Sequence, residues 1–215
     1  MECACRVLTS SIGKKVQVAL AGLFLCVFLV SHLAGNLLMW GGAELFNNYA
    51  HALEANLLLP VAEVGLFVLF ALHIFVALRV RWENRAARPT AYQVSEWAGG
   101  RTIGSATMLW TGLVVLVFLI VHIKTMRLAD HGANGLYQYV MGRFQSVPYS
   151  LFYLVAMVAL GLHLSHGAQA AAKTLGIDHP RLTPVIQKGG IVFAGAIAAG
   201  FGAIVFWSCW LAGGK

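Results

Sequence analysis

The chain has 215 residues, of which 59% are hydrophobic and only 11% charged, with a mean hydropathy of +0.75. A water-soluble domain of this size carries about 25% charged residues, so the composition excludes an ordinary soluble enzyme and points to a membrane protein. The formal charge of +7 and pI near 9.5 come without any segment that interleaves basic and aromatic residues, which argues against a nucleic-acid partner.

Crossing a hydrocarbon core of roughly 30 Å takes about 20 helical residues. Five apolar stretches reach that length: Val16–Trp40, Pro60–Val80, Ile103–Ile123, Pro148–Ala172 and Gly189–Leu211. They predict an all-α integral membrane bundle, one domain over residues 1–215, with no soluble domain of its own. The first run is as long as a span and continues without a small-residue cleavage site, so it reads as a span rather than a removable signal. Cys3 and Cys5 form a CxC at the terminus, while Cys26 and Cys209 fall inside spans. With no CxxC pair or zinc spacing, the CxC reads as a free terminus rather than a metal site, and the four thiolates are not placed for an iron–sulfur cluster.

The first span carries His32 past its midpoint and Asn36 one turn further on the same face. The stretch after it, GGAELFNNYAHALEANLLL, has no Lys or Arg but holds Glu44, His51 and Glu54. Its polar–apolar mixture predicts a short helix lying over the membrane face. Pro60 sits where a helix can begin. The second span holds Glu63 near its start and His73 late; Glu63 is the one acidic residue clearly inside a predicted span. The loop RVRWENRAARPTAYQVSEWAGGR is either a docking surface or a solvated loop hugging lipid headgroups. The third span reaches His122 near its end, and KTMRLADHGANGLYQYVMGRF, with His131 and Arg143, reads as a connecting loop. The fourth span carries His163 and His166. The fifth has no ionisable side chain beyond the Cys209 thiol, and its repeated Gly and Ala predict close, structural packing.

Counting Lys and Arg by side gives orientation. Eleven fall on the side of the N-terminal arm and of the loops after spans two and four, and four on the other side. The positive-inside rule then puts the N-terminus in the cytoplasm and the C-terminus outside, as a multi-pass protein of the cell's inner (cytoplasmic) membrane. Spans one and three run outward and carry His32 and His122 late, near the outer side. Spans two and four run inward and carry His73 and either His163 or His166 late, near the inner side. Ionisable groups at this depth call for partners. Two pairs at two depths, each from two helices, suit imidazole ligation of two stacked haems. A zinc site gathers three or four protein ligands at one place. A proton-coupled transporter calls for intramembrane acids or broken helices, and only Glu63 qualifies.

The segments SSIGKKVQVALAGLFLCVFLVSHLAGNL and GLHLSHGAQAAAKTLG resemble the dihaem cytochrome b subunit of succinate:quinone oxidoreductases, the family of succinate dehydrogenases and quinol:fumarate reductases. The resemblance covers nearly the whole chain. It implies axial haem-iron ligands at His32 and His122 for the outer haem and at His73 and His163 for the inner one. His163 is taken over its alternate His166 because its spacing of thirteen residues before Gly176 is similar to the family's. The resemblance further implies Arg143 as an outer propionate partner. Lys173 and Arg101 are inner-side possibilities, against the alternative that all three merely snorkel. It also implies a quinone substrate, generally menaquinone among dihaem members, and two partners on the cytoplasmic side: an iron–sulfur subunit and a FAD flavoprotein. Quinone chemistry needs a proton donor near the outer haem, for which Glu54 and Glu63 are the nearest acids and Asn36 a hydrogen-bond donor. A glutamate that some relatives carry two residues before the fourth-span ligand is Gly161 here. The rival readings are the cytochrome b anchor of a formate dehydrogenase, hydrogenase or nitrate reductase, and a cofactor-free transporter or scaffold.

Overall fold

The computed structural model describes residues 9–87 and 103–212, and all regular structure among them is helical. Seven α-helices follow one another: α1 (Ser11–Leu37), α2 (Ala43–Glu54), α3 (Leu59–Ala86), α4 (Ile103–His122), α5 (Gly135–Phe144), α6 (Val147–Thr174) and α7 (Thr183–Phe206). A 3-10 turn, Leu38–Gly41, extends α1, and π-helical segments extend α4 (Ile123–Arg127) and α7 (Trp207–Leu211). Five of these units, built on α1, α3, α4, α6 and α7, are long and apolar enough to cross a membrane. The fold is therefore that of an all-helical, multi-pass membrane protein.

Local sequence explains the helix starts. Ser10 caps α1, its side-chain oxygen accepting from the Gly13 N–H at 3.0 Å and so satisfying one of the orphan donors of the first turn. Pro60, Pro148 and Pro184 each stand in the first turn of α3, α6 and α7, where a missing N–H costs nothing. The helices run past the stretches picked out by hydropathy: α3 continues to Ala86 and α7 begins at Thr183. Hydropathy marks what tolerates lipid, whereas charged residues such as Arg81 and Glu83 remain good helix formers beyond it.

Two helix pairs, α1–α3 and α4–α6, are joined through α1–α6 packing, and α7 lies against α6 and α1. Along the α6–α7 contact small residues let the backbones close up. A β-carbon on Gly161 would come within 3.0 Å of the Ala198 β-carbon, and one on Gly190 within 3.4 Å of Ala168. Gly161 is thus a packing position. On the opposite side α3 shows lipid-compatible side chains outward, with Val61, Val64, Phe67 and Phe75 exposed.

Ion pairs tie the two ends. At one end Lys14 of α1 pairs with Glu83 of α3, which Arg79 also bonds at 2.9 Å. At the other end, called here the α2–α5 end, Arg127 pairs with Glu63 at 2.5 and 3.3 Å. There α2 packs on α5, and Asn47 accepts from the Tyr137 N–H at 2.9 Å. Helix α2 is the short helix expected between the first two spans. Helix α5 is a correction, since that stretch was expected to be loop. Its Phe144 and Val140 are buried with Met39 and Phe46, so tertiary burial rather than a capping signal makes it a helix; Asn134 offers no side-chain cap.

Candidate functional site

Four of the five span histidines meet in pairs across the seam between the two helix pairs. His32 of α1 faces His122 of α4, with ring centroids 5.9 Å apart and planes at 87°. His73 of α3 faces His163 of α6, at 6.3 Å and 73°. His32 and His122 lie towards the α2–α5 end, and the other pair towards the Lys14–Glu83 end. His166, one turn beyond His163, is not brought to His73, and its Nδ1 is buried without a hydrogen-bond partner.

Neighbouring helices hold these rings. His73 Nδ1 lies 3.2 Å from the carbonyl oxygen of Val18. A carbonyl only accepts, so Nδ1 carries the hydrogen and Nε2 keeps its lone pair. His163 Nδ1 makes a longer contact, 3.5 Å, with Thr111 Oγ1, whose own hydroxyl points to the Thr107 and Met108 carbonyls. His122 Nδ1 lies 3.2 Å from Tyr153 Oη. Three of the four rings thus have Nδ1 engaged, the arrangement that orients a metal-ligating imidazole through its other nitrogen. His32 is held by rings instead, stacked on Phe28 at 5.2 Å and tilted against Phe201 at 5.6 Å.

Two glycines make room for the second pair. A β-carbon on Gly22 would approach His73 Cε1 to 3.3 Å, and one on Gly112 would approach His163 Cε1 to 3.2 Å. Each imidazole of this pair therefore rests against a backbone stripped of its side chain.

The donor set suits a haem iron better than a bare ion. Among the described residues no three of His, Cys, Asp and Glu converge, so each position offers two imidazoles and nothing more. A macrocycle that brings its own equatorial nitrogens needs just two axial ligands. Imidazole–metal bonds of roughly 2.0–2.1 Å, the range for zinc, with ring nitrogens about 1 Å from each centroid, set two trans imidazoles about 6 Å apart. The observed centroid separations of 5.9 and 6.3 Å are of that size, which is also that of ordinary edge-to-face ring contacts. The residues present fit the group.

The remaining expected site residues are dispersed around this frame. Arg143 is exposed at the end of α5, its guanidinium 4.7 Å from the centre of the Tyr149 ring. Lys173 is exposed in the last turn of α6. Arg101 lies outside the described residues, as do Cys3, Cys5 and residues 88–102 of the long loop. Asn36 gives a hydrogen to the His32 carbonyl at 2.8 Å, which occupies one of its two donor hydrogens. Glu63 is engaged with Arg127. Glu54 is exposed, 3.9 Å from His51, and borders a cleft of about 320 Å³ shared with Asn47, Arg127, Asp130 and His131.

Sequence reading missed Gly22, Thr111, Gly112, Thr125, Tyr149 and Tyr153. The two tyrosines did leave a trace, standing four residues apart on the helix that carries His163 and so sharing a face.

The fold and site define a class, a helical membrane protein that pairs histidines across its core. Within that class, the chain is similar to the succinate dehydrogenase cytochrome b558 subunit of Bacillus subtilis (strain 168), with 28% identity over 164 residues, 75% of this chain and 77% of the relative. No family model matches the chain, and no solved structure does.

Proposed function

We propose that the chain is the dihaem membrane anchor of a succinate:quinone oxidoreductase. In this reading it carries electrons between a quinone, menaquinone by preference, and an iron–sulfur subunit with its FAD flavoprotein seated on the cytoplasmic side. The observation that carries the reading is the pair of histidine couples at 5.9 and 6.3 Å. The similarity to a succinate dehydrogenase cytochrome b subunit supplies the partner enzyme. Bound b haem supplies a one-electron carrier at each position.

The chain's own residues then divide the work. His32 with His122, and His73 with His163, would hold the two haem irons. Val18, Thr111 and Tyr153 fix the ring orientations, and Gly22 and Gly112 keep the space. Glu54, in its cleft at the α2–α5 end, is the acid free to exchange protons with a quinone. Glu63, tied to Arg127, serves mainly to hold α3 to the end of α4. The excess of Lys and Arg at the opposite end makes that face cytoplasmic and the docking side for the partner subunits. Arg143 and Lys173 stand at opposite edges where haem propionates would need cations.

The test is to add succinate to the complex purified through this chain and follow haem absorbance. Isolation with a flavoprotein and an iron–sulfur subunit, with haem reduced by succinate or oxidised by fumarate, is the expected result. A haem-bearing chain that isolates without either subunit and exchanges no electrons with the dicarboxylates would refute the assignment.

A further inference from the structure

The surroundings of the two histidine pairs are unequal. At His73 the Nδ1 partner is a backbone carbonyl, that of Val18, at 3.2 Å. At His122 it is a phenol belonging to a chain of hydroxyls. Tyr153 Oη lies 3.2 Å from His122 Nδ1 and also accepts a hydrogen bond from Tyr149 Oη at 2.7 Å. Tyr149 Oη is 2.7 Å from Thr125 Oγ1, whose hydroxyl hydrogen is shared between Tyr149 Oη and the Val121 carbonyl, also at 2.7 Å. Tyr153 is only 4% exposed, and Phe118 and Phe144 hold its ring edge-on at 4.9 and 5.0 Å. The phenol is locked in place.

We propose that Tyr153 and Tyr149 are positioning residues that set the redox equilibrium of the haem at His32 and His122 independently of the other haem; this rests on the haem reading above. With iron on Nε2, His122 Nδ1 carries a hydrogen and Tyr153 Oη accepts it. Accepting that hydrogen makes the imidazole a more basic ligand, and second-shell hydrogen bonding is one of the protein's means of tuning an iron's potential. A more basic ligand favours the oxidised iron. Tyr153 is a weaker acceptor than a backbone carbonyl, and the hydrogen it takes from Tyr149 weakens it further. Tyr149 therefore opposes Tyr153: one receives the imidazole's hydrogen, the other competes for the same oxygen.

Opposition in sign separates this role from simple packing. Tyr153→Phe removes the acceptor, so the His32–His122 haem should become easier to reduce. Tyr149→Phe removes the competing donor while leaving the His122 bond, so the same haem should become harder to reduce. Each change removes one hydrogen bond, whose net worth corresponds to about a two- to tenfold shift in the reduction equilibrium; tenfold would read as 59 mV for one electron.

The experiment is an optical redox titration of the intact complex, following both haems in the parent protein and the two variants. Shifts of opposite sign at the His32–His122 haem, with the other haem unmoved, are expected. Shifts of the same sign, equal shifts at both haems, or none would overturn the proposal. Should Tyr153→Phe lose its haem, Tyr149→Phe decides alone: a shift towards the oxidised form upholds the role, and an unmoved haem overturns it. A parent protein with no haem that depends on His32 and His122 would instead sink the haem reading itself.

Discussion

Gly112 offers the sharpest test of how the His73–His163 pair is held. Its missing side chain faces His163 Cε1, and a β-carbon there would stand 3.2 Å from that atom, tighter than ordinary contact, which begins at 3.4 Å. Gly112→Ala asks the ring to give by a few tenths of an ångström. The cost is partly offset by alanine's helix preference over glycine, about 1 kcal/mol. Gly112→Val adds two further methyls that point at a ring already in contact, and overpacking of that kind costs roughly 1–3 kcal/mol. If the strain falls on His163 ligation, haem at this pair should be held about 5- to 150-fold less tightly. Haem per chain, measured with thermal stability on the purified complex, should therefore fall from two towards one in Gly112→Val and stay near two in Gly112→Ala. Gly195→Val is the control, because nothing lies within 4 Å of its added β-carbon. Full haem content and unchanged stability in Gly112→Val would refute the idea that this glycine makes room for the ligand.

The other predictions concern the ligands, the acids and the charge. His32→Ala and His122→Ala should each remove one and the same haem, and His73→Ala and His163→Ala the other, while His166→Ala keeps both; spectra of the five variants check this. Glu54→Gln should slow quinol turnover severely with both haem spectra intact. Glu63→Gln should do less, because an exposed pair such as Arg127–Glu63 is worth roughly 0.2–1 kcal/mol; steady-state quinol oxidation measures both. Turnover with quinol and fumarate in sealed liposomes should move negative charge towards the dehydrogenase side, as a voltage-sensitive dye reports. Each elementary charge crossing 100 mV is worth about 2.3 kcal/mol, and Gly161, packed on Ala198, leaves no acid there to compensate it.

Much of the frame was legible because membrane burial constrains sequence so strongly. Five apolar runs gave five long helices, and a histidine's place along its span, with successive spans running in opposite directions, gave its depth relative to the others. Depth alone groups His32 with His122 and His73 with the His163–His166 turn. It could not separate His163 from His166, since three residues are roughly 4.5 Å along a helix; which ring faces His73 is a matter of rotation about α6. Contacts between helices were not legible for a related reason. Nothing local marks Gly22 or Gly112, out of 23 glycines, as the one beneath a particular imidazole. Helix α5 was hidden because its stability comes from Phe46 and Met39, far away in sequence, and the π segments because i→i+5 bonding leaves no periodic trace.

The measurement that bears most directly on the whole reading is the haem b content of the chain, isolated in its complex from a membrane and assayed as haemochrome against protein mass. Two histidine couples, each able to offer two imidazoles to one haem iron, predict two b haems per chain with separable reduction potentials. A preparation that is folded and active in electron transfer yet holds no haem, or only one, would contradict it.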